Sequence, residues 1–339
     1  MKNNNNTSIK YTSIKLIDSS GKKIKNKITK DNILFIDKIK KGFVVIKVHY
    51  SNLNYKDFLM SKPNNGLIKR YPHTPGIDAS GTIYYSFSNK FSKGEKVYVI
   101  AKPLGVEMEG SFSQFITVPD NWVKKLPKDF NLKEIMMVGT SGFTAAKAII
   151  KSEKAIVINK KKPVLVAGGT SNVGMIIIFL LSNLGIKIES ISSKNNHKIL
   201  KSFGVEKTYS VDYFKRFPDF NLLNEKYSVI FDNLGGDLIS VYAKILIKKG
   251  LLISIGNILG NTTNLNILPF LLREISILGV NTECSNNKER DFFLEKFKSR
   301  KLRKNLLKRT KILNLRKVSK ILSEKNLKKK FFRYIVKLI

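Results

Sequence analysis

Residues 164–175 read VLVAGGTSNVGM, and the apolar run IIIFLL follows at once. Apolar residues entering Gly168-Gly169-Thr170-Ser171-Asn172-Val173-Gly174 predict a strand, a tight turn and the start of a helix. Such a unit suits a phosphate. The first N–H groups of a helix have no acceptor within it, and the helix dipole is positive there. Glycine also lets the backbone approach a pyrophosphate closely. Here the spacing is G-x-x-S-x-x-G, so Ser171 stands where a middle glycine is expected. A serine fits that position with a negative φ, and its hydroxyl is then a further donor; Asn172 tolerates a positive φ better than most residues. The turn therefore assigns Gly168, Thr170, Ser171, Asn172 and Val173 to a dinucleotide's phosphates. Gly168 would make the turn, and Gly174 would let the helix pack on the strand. An ordinary tight strand–helix connection has the same glycine pattern, so context must decide.

The context lies one strand further on. IKIESISS (186–193) reads as a strand ending at Ser192-Ser193-Lys194. A dinucleotide fold puts the adenosine ribose there, and an acidic residue would favour NAD. This chain has two hydroxyls and a cation, with Glu189 further back inside the strand. A lysine about 4 Å from a 2′-phosphate gains ~4 kcal/mol at an effective dielectric near 20, before desolvation. Ser192, Ser193 and Lys194 together with the turn favour NADP(H), against the reading of Lys194 as one more solvated lysine.

Strands and helices alternate on both sides of this unit. NNHKILKSFG reads as a helix, YSVIFDNLGG as a strand and turn, DLISVYAKILIKKG as a helix, and LLISIGN and EISILGVN as strands. Near-continuous apolar strands between helices indicate a parallel sheet covered on both faces. The first third is β-rich instead: FVVIKVHYSNLNY (43–55), GTIYYSF (81–87), KVYVIA (96–101) and SFSQFITV (111–118) are short β-branched and aromatic runs between turn clusters. GTSGFTAAKAII (139–150) reads as a helix with Thr140 or Ser141 as N-cap. Near the end, DFFLEKFKSRKLRKNLLKRT (291–310) sets Phe293, Phe297 and Leu302 near helical spacing, and RYIVKLI reads as a final strand.

The chain has 339 residues, enough for about two domains, and is 42% hydrophobic, enough to fill real cores. Cys284 is the single cysteine, so no disulfide forms within the chain and a reducing compartment is expected. The N-terminal MKNNNNTSIKYT has no apolar core of a secretory signal, and the run Met175–Leu181 is too short to span a bilayer. The expected location is the cytoplasm.

Lys and Arg number 62 against 25 acidic residues, a net charge of +37. Lysine, asparagine and isoleucine recur along the whole chain. The charge thus reads first as a compositional bias, which speaks to non-specific binding and not to fold. The local exception is the tail: between Lys296 and Lys337 only Glu324 is acidic. A basic helix there suits RNA, an anionic membrane surface or the 3′-phosphate of coenzyme A. No nucleic-acid motif accompanies it, so no specific nucleic acid is expected.

Several segments taken in order are more specific than any one of them. NYKDFLM (54–60), PHTPGIDASGTI (72–83), GTSGFTA (139–145), the Gly168–Gly174 turn, FDNLGG (231–236) and PFLLR (269–273) resemble the medium-chain dehydrogenase/reductase superfamily. Within it they resemble the zinc-independent quinone-oxidoreductase-like group, and most closely its NADPH-dependent acrylyl-CoA reductases. The resemblance implies an α/β protein: a GroES-like catalytic domain over 1–135, a Rossmann NADP-binding domain over 136–284, and a return of 285–339 to the first domain. It implies a cofactor in the cleft between the domains, and a homodimer paired through the edge strand near Ser276–Asn281. It also implies that Thr140, Thr144, Asn233, Gly256, Asn257, Leu271 and Arg333 line the cofactor. The family glycine before Arg333 is here Phe332, and residues 103–110 and 291–331 depart from the family pattern.

No metal is expected. Zinc enzymes of the superfamily use Cys and His ligands, including a GHE signature, where this chain has Gly76-Ile77-Asp78. His49, His73 and His197 read as structural or exposed. Without a metal, hydride must reach the β carbon of an enoyl thioester while the thioester oxygen gains charge and a proton arrives at the α carbon. Tyr55 and Asn54 are the candidates. The resemblance puts Tyr55 at the nicotinamide, where its phenol, protonated at neutral pH, donates the proton or packs on the ring while water does so. Asn54 would orient a carbonyl or carboxamide. Lys56 and Asp57 read as a local structural pair. The substrate is then a small unsaturated acyl-CoA; a quinone is the alternative within the same fold, since substrate choice lies in loops. An RNA- or membrane-binding protein using the basic tail is the alternative outside it.

Overall fold

The computed structural model describes residues 8–19, 23–155, 162–193, 196–324 and 333–339. The chain divides into two compact units, Met1–Thr140 with Phe297–Ile339, and Ser141–Lys296.

The first unit begins with strands β1 (Ser8–Ser19) and β2 (Lys23–Phe35), paired antiparallel. The run KIKNKITKDNILF carries too many lysines and asparagines to read as a strand. It forms one because Ile14 and Leu16 of β1 are fully buried, which anchors the ribbon. β3 (Phe43–Asn52), the short helix α1 (Tyr55–Met60), β4 (Ala79–Ser86), β5 (Lys96–Val99), β6 (Phe115–Pro119) and β7 (Lys124–Lys125) follow. β3 is the central strand: β4 pairs along one edge and β6 along part of the other. Alternate β3 residues Val44, Ile46 and Val48 enter a core with Phe112, Ile116 and Val118.

α2 (Leu132–Ala155) carries the chain from one unit into the other. A helical segment starting at Leu132 precedes the helix predicted over 139–150, and the two meet at a kink. Asn131 Oδ1 accepts from Lys133 and Glu134 N–H, and Glu134 bonds back to Asn131 N–H, so Asn131 caps this first segment. The helix is interrupted at Gly139, with φ 50° and ψ −168°.

In the second unit β8 (Val164–Ala167), α3 (Asn172–Ser182), β9 (Ile188–Ile191), α4 (His197–Lys201), β10 (Val205–Tyr209), α5 (Val211–Lys215), β11 (Tyr227–Asp232), α6 (Leu238–Ile245), β12 (Leu246–Ser254), α7 (Leu268–Arg273) and β13 (Ser276–Gly279) follow in order, then α8 (Asn287–Glu295). Among the described residues the strands form one parallel sheet ordered β10-β9-β8-β11-β12-β13. Numbered within the unit this is 3-2-1-4-5-6, the doubly wound dinucleotide order, which reverses between β8 and β11. Every residue of β8, β9 and β11 is buried, as a sheet covered on both faces requires. One helix is shorter than predicted: α6 stops at Ile245, and Leu246 turns to the extended backbone (ψ 143°) to start β12. The apolar ILI there suits either structure, and pairing of Leu246 with Tyr227 on β11 decides it.

The tail returns to the first unit as α9 (Arg300–Lys308), β14 (Thr310–Leu313), α10 (Leu315–Leu322) and β15 (Arg333–Lys337). β15 lies antiparallel to β3, with Ile335 opposite Asn52, and β14 parallels β15. The predicted helix over 291–310 is two helices, broken after Glu295. Phe293 and Phe297 are buried; the side chain of Leu302 and all of Phe332 lie outside the described residues. In α10, Val318 and Leu322 enter the core while Arg316, Lys317 and Lys320 face outward. Arg303 of α9 is 3% exposed and donates to the carbonyls of Phe297, Lys298 and Asp129. Among the described residues no helix is long and apolar enough to cross a membrane.

Candidate functional site

The glycine turn of the second unit sits at the carboxyl end of β8, where the sheet order reverses. Ligands of doubly wound sheets bind at that point. Gly168 has φ 70°, and its N–H and that of Gly169 both donate to Ile191 O on β9. A Cβ on Gly169 would lie 2.1 Å from Ser190 Oγ. Ser171 has φ −67°, the sign that a side chain at this position needs, and its Oγ caps α3 by accepting from Gly174 N–H at 2.9 Å. Gly174 is required for a reason other than packing of the helix on the strand: a Cβ there would lie 2.5 Å from Gly168 O, inside the turn itself. Thr170 Oγ1 meets Ser192 Oγ at 3.3 Å, which ties the turn to the end of β9; Asn172 is buried and Val173 half-buried. Glycines where any Cβ would collide, before an eleven-residue helix, make a cradle that fits a diphosphate.

At the end of β9, Ser192 is 7% exposed and donates its N–H to Tyr209 O, while Ser193 is exposed and accepts from Asn196. Lys194 lies outside the described residues. Glu189 is buried and engaged by Tyr227 OH at 2.6 Å and Lys226 Nζ at 2.7 Å, so it does not serve a ribose. On the other side of the reversal, Asn233 donates from Nδ2 to Ala167 O at 2.9 Å. Asp232 shapes the following turn by accepting from Leu234 and Gly235 N–H; burial pushes its carboxyl up to about 6 against those two bonds. Gly256 abuts Asn233, since a Cβ would lie 2.6 Å from Asn233 O. Gly256 and Asn257 line a cavity of about 610 Å³ with Lys147, Lys151, Gly279 and Asn281. Thr144 is half-buried on α2, and Leu271 on α7 is 65% exposed.

In the first unit, Tyr55 is the first residue of α1, 41% exposed, with its ring stacked on Phe58. Asn54 is 4% exposed and serves the backbone: it forms a capping box with Asp57 at the start of α1. Asp57 does not pair with Lys56 as predicted. Its Oδ2 accepts from Asn54 N–H at 2.7 Å, and its Oδ1 accepts from Gly76 and Ile77 N–H at 3.0 and 3.1 Å.

Asp78 is the hub that sequence reading missed. It is fully buried, its Oδ2 accepting from Asn52 Nδ2, Asn54 Nδ2 and Thr140 N–H at 3.0 Å each, and its Oδ1 from Thr140 Oγ1 at 2.5 Å. Thr140 Oγ1 also accepts from Ala101 N–H, so the hydroxyl assigned to the cofactor serves this hub. Arg333, likewise assigned to the cofactor, is 1% exposed and donates from Nη2 to Met136 and Val138 carbonyls; its Nε and Nη1 are buried without an acceptor among the described residues. Burial draws its guanidinium down to about 10, opposed by the Asp78 carboxylate. A Cβ on Gly139 would lie 2.1 Å from Asn52 Nδ2, 2.6 Å from Arg333 Nη2 and 2.8 Å from Asp78 Oδ2, so only glycine lets the chain cross this node. A signal for Asp78 was present: an acid inside the apolar run PGIDASGTI has to find buried donors.

His73 Nε2 bonds Gly105 O at 2.9 Å, and His49 Nε2 bonds Thr82 Oγ1. Among the described residues no group of three or more His, Cys, Asp or Glu side chains could hold a metal ion.

Asp57 carries a pH dependence. Burial pushes its carboxyl up to about 8; the three N–H donors lower it and Asp78 adds to the rise. The folded chain then keeps a proton that the unfolded chain releases near pH 4. The stability from this group is full below about pH 4 and is lost as pH rises toward 8, at up to about 1.4 kcal/mol per pH unit. Denaturant unfolding at pH 5 and pH 8 should therefore cost the unmodified protein more than it costs Asp57→Asn. Equal losses would contradict the assignment.

Comparison with known proteins places these features in a lineage. Residues 40–128 match the alcohol dehydrogenase GroES-like domain. The chain is 33% identical over 244 residues to the Bacillus subtilis protein named as a quinone oxidoreductase, YhfP, covering 71% of this chain and 74% of the relative. It is 31% identical over 245 residues to the acrylyl-CoA reductase AcuI of Ruegeria pomeroyi, covering 71% and 73%. The crystal structure of B. subtilis yhfP with NAD bound superposes with a TM-score of 0.86 at 26% identity, over 98% of this chain and 100% of that one. The Salmonella enterica yhdH oxidoreductase in complex with NADP gives 0.86 at 24% identity, over 97% and 100%. A match to the GroES-like domain, a relative 33% identical over most of its length and a doubly wound sheet in the second unit have one reading: the chain belongs to the medium-chain dehydrogenase/reductase family.

Proposed function

We propose that this protein reduces the C=C bond of a small 2-enoyl-CoA, of the acrylyl-CoA kind, with NADPH as reductant. The observation that carries the reading is the Gly168–Gly174 cradle at the sheet reversal, followed by Ser192-Ser193-Lys194. Helix α3 amides and Ser171 would hold the diphosphate, and the Ser-Ser-Lys trio the 2′-phosphate. When bound, the nicotinamide supplies a hydride to the β carbon.

The chain itself has two tasks. Tyr55, exposed at the head of α1, presents a phenol that can give a proton to the α carbon. The buried node beneath it fixes its backbone. No metal enters the scheme. Kinship with a relative named quinone oxidoreductase favours a quinone as the second reading. Among the described residues β13 is one of the two edge strands of the parallel sheet, and we assign pairing with a second copy to it.

The test is NADPH oxidation by the purified chain with acrylyl-CoA, crotonyl-CoA and a small quinone. Turnover of acrylyl-CoA well above the quinone supports the reading. A quinone rate far above the thioester rate favours the second, and no turnover with any acceptor removes both.

A further inference from the structure

Tyr55 has little of its own to hold it. Its ring stacks on one neighbour, Phe58, with centroids 6.2 Å apart, and α1 is six residues long, too short to be stable alone. The place of the phenol is inherited from the backbone at Asn54–Tyr55. That backbone is pinned twice. Asn54 reaches Asp78 through Nδ2 at 3.0 Å, and Asn54 N–H reaches Asp57 at 2.7 Å. Asp57 in turn holds the N–H groups of Gly76 and Ile77, the residues just before Asp78. The same Asp78 carboxylate holds Thr140 through both its N–H and its hydroxyl. A single buried acid thus fixes the end of β3, the cap of α1 and the residue at which the chain leaves this unit.

We propose that Asp78 is a positioning residue for the reduction, acting through Asn54 on the orientation of Tyr55. The role rests on the reading above, in which the phenol meets the substrate. Misplacing a reacting group by about 1 Å costs roughly 10²-fold in rate, so a carboxylate that never touches substrate can still govern turnover.

The test uses the full chain and two substitutions. Asn54→Ser keeps a good helix cap but removes the amide that reaches Asp78. Asp78→Asn replaces an acceptor with a group that also donates. Each is made alone and in a Tyr55→Phe background. Three quantities are read: kcat and KM with NADPH and acrylyl-CoA, thermal midpoint, and amide hydrogen exchange in the cofactor-free protein. The expected result is a loss of kcat of about 10²-fold with KM for NADPH changed by less than about twofold. In the Tyr55→Phe background the same change should cost about threefold or less, because the interaction has already been removed. Exchange of the α1 amides should rise while those of β3 and β4 stay protected.

Equal losses in both backgrounds would overturn the positioning role while leaving the enoyl reductase reading in place. Unfolding of both variants would also overturn it, since Asp78 would then serve the fold alone. Failure of the unmodified protein to turn over any enoyl thioester would overturn the reading and the positioning role together.

Discussion

Lys194→Glu should raise KM for NADPH by about 10²-fold and leave KM for NADH nearly unchanged. The side chain is assigned to the 2′-phosphate from its place after Ser192-Ser193, and lies outside the described residues. A cation some 4 Å from a phosphate is worth ~4 kcal/mol at an effective dielectric near 20, and a carboxylate reverses the sign. Desolvation and screening reduce that, which is why the expected effect is about 10²-fold rather than the full Coulomb figure. NADH has no 2′-phosphate and is the internal control. Steady-state kinetics with both reduced nicotinamides decides the matter: equal shifts would remove Lys194 from the site and with it the preference for NADP(H). Glu189 offers no substitute, because Tyr227 and Lys226 occupy its carboxylate.

Tyr55→Phe should lower kcat by about 10²-fold while changing KM for NADPH little, the mark of a proton donor used in the transition state. Phenylalanine keeps the ring and its stacking on Phe58, so loss of packing is not the cause. A fall of only two- to threefold would make Tyr55 a packing wall and pass the proton to water. The solvent exposure of Tyr55 suits either source, and the substitution separates them.

Local sequence patterns carried the second unit and missed part of the first. The turn at Gly168 was legible because its main requirements are local: a positive φ at Gly168, a collision of any Gly174 Cβ with Gly168 O and a capping hydroxyl at Ser171 arise within seven residues. Strand type was legible too, since full burial on both faces leaves nearly continuous apolar runs. The Asp78 hub was not. Its donors come from positions 52, 54 and 140, and no spacing rule joins residues that far apart. For the same reason the bonds of Asn54, Thr140 and Arg333 within the buried node could not be read from their spacing. The β1–β2 ribbon was hidden by composition: lysines occupy its outer positions, Asn26 and Asn32 are half-buried, and pairing with β1, not propensity, makes β2 a strand. The basic tail has a structural part that its charge concealed. Its apolar residues fill the core beside β3 and its cationic ones mostly face outward.

The central claim is that the second unit's cradle holds the diphosphate of NADPH. The most direct measurement is a fluorescence titration of the purified full chain with NADPH, repeated with NADH and with Gly174→Val, whose side chain fills the cradle at Gly168 O. The expected result is saturable binding of NADPH, much weaker binding of NADH, and none of either by the variant. No saturable binding of NADPH by the unmodified chain, or unaltered binding by the variant, would contradict it.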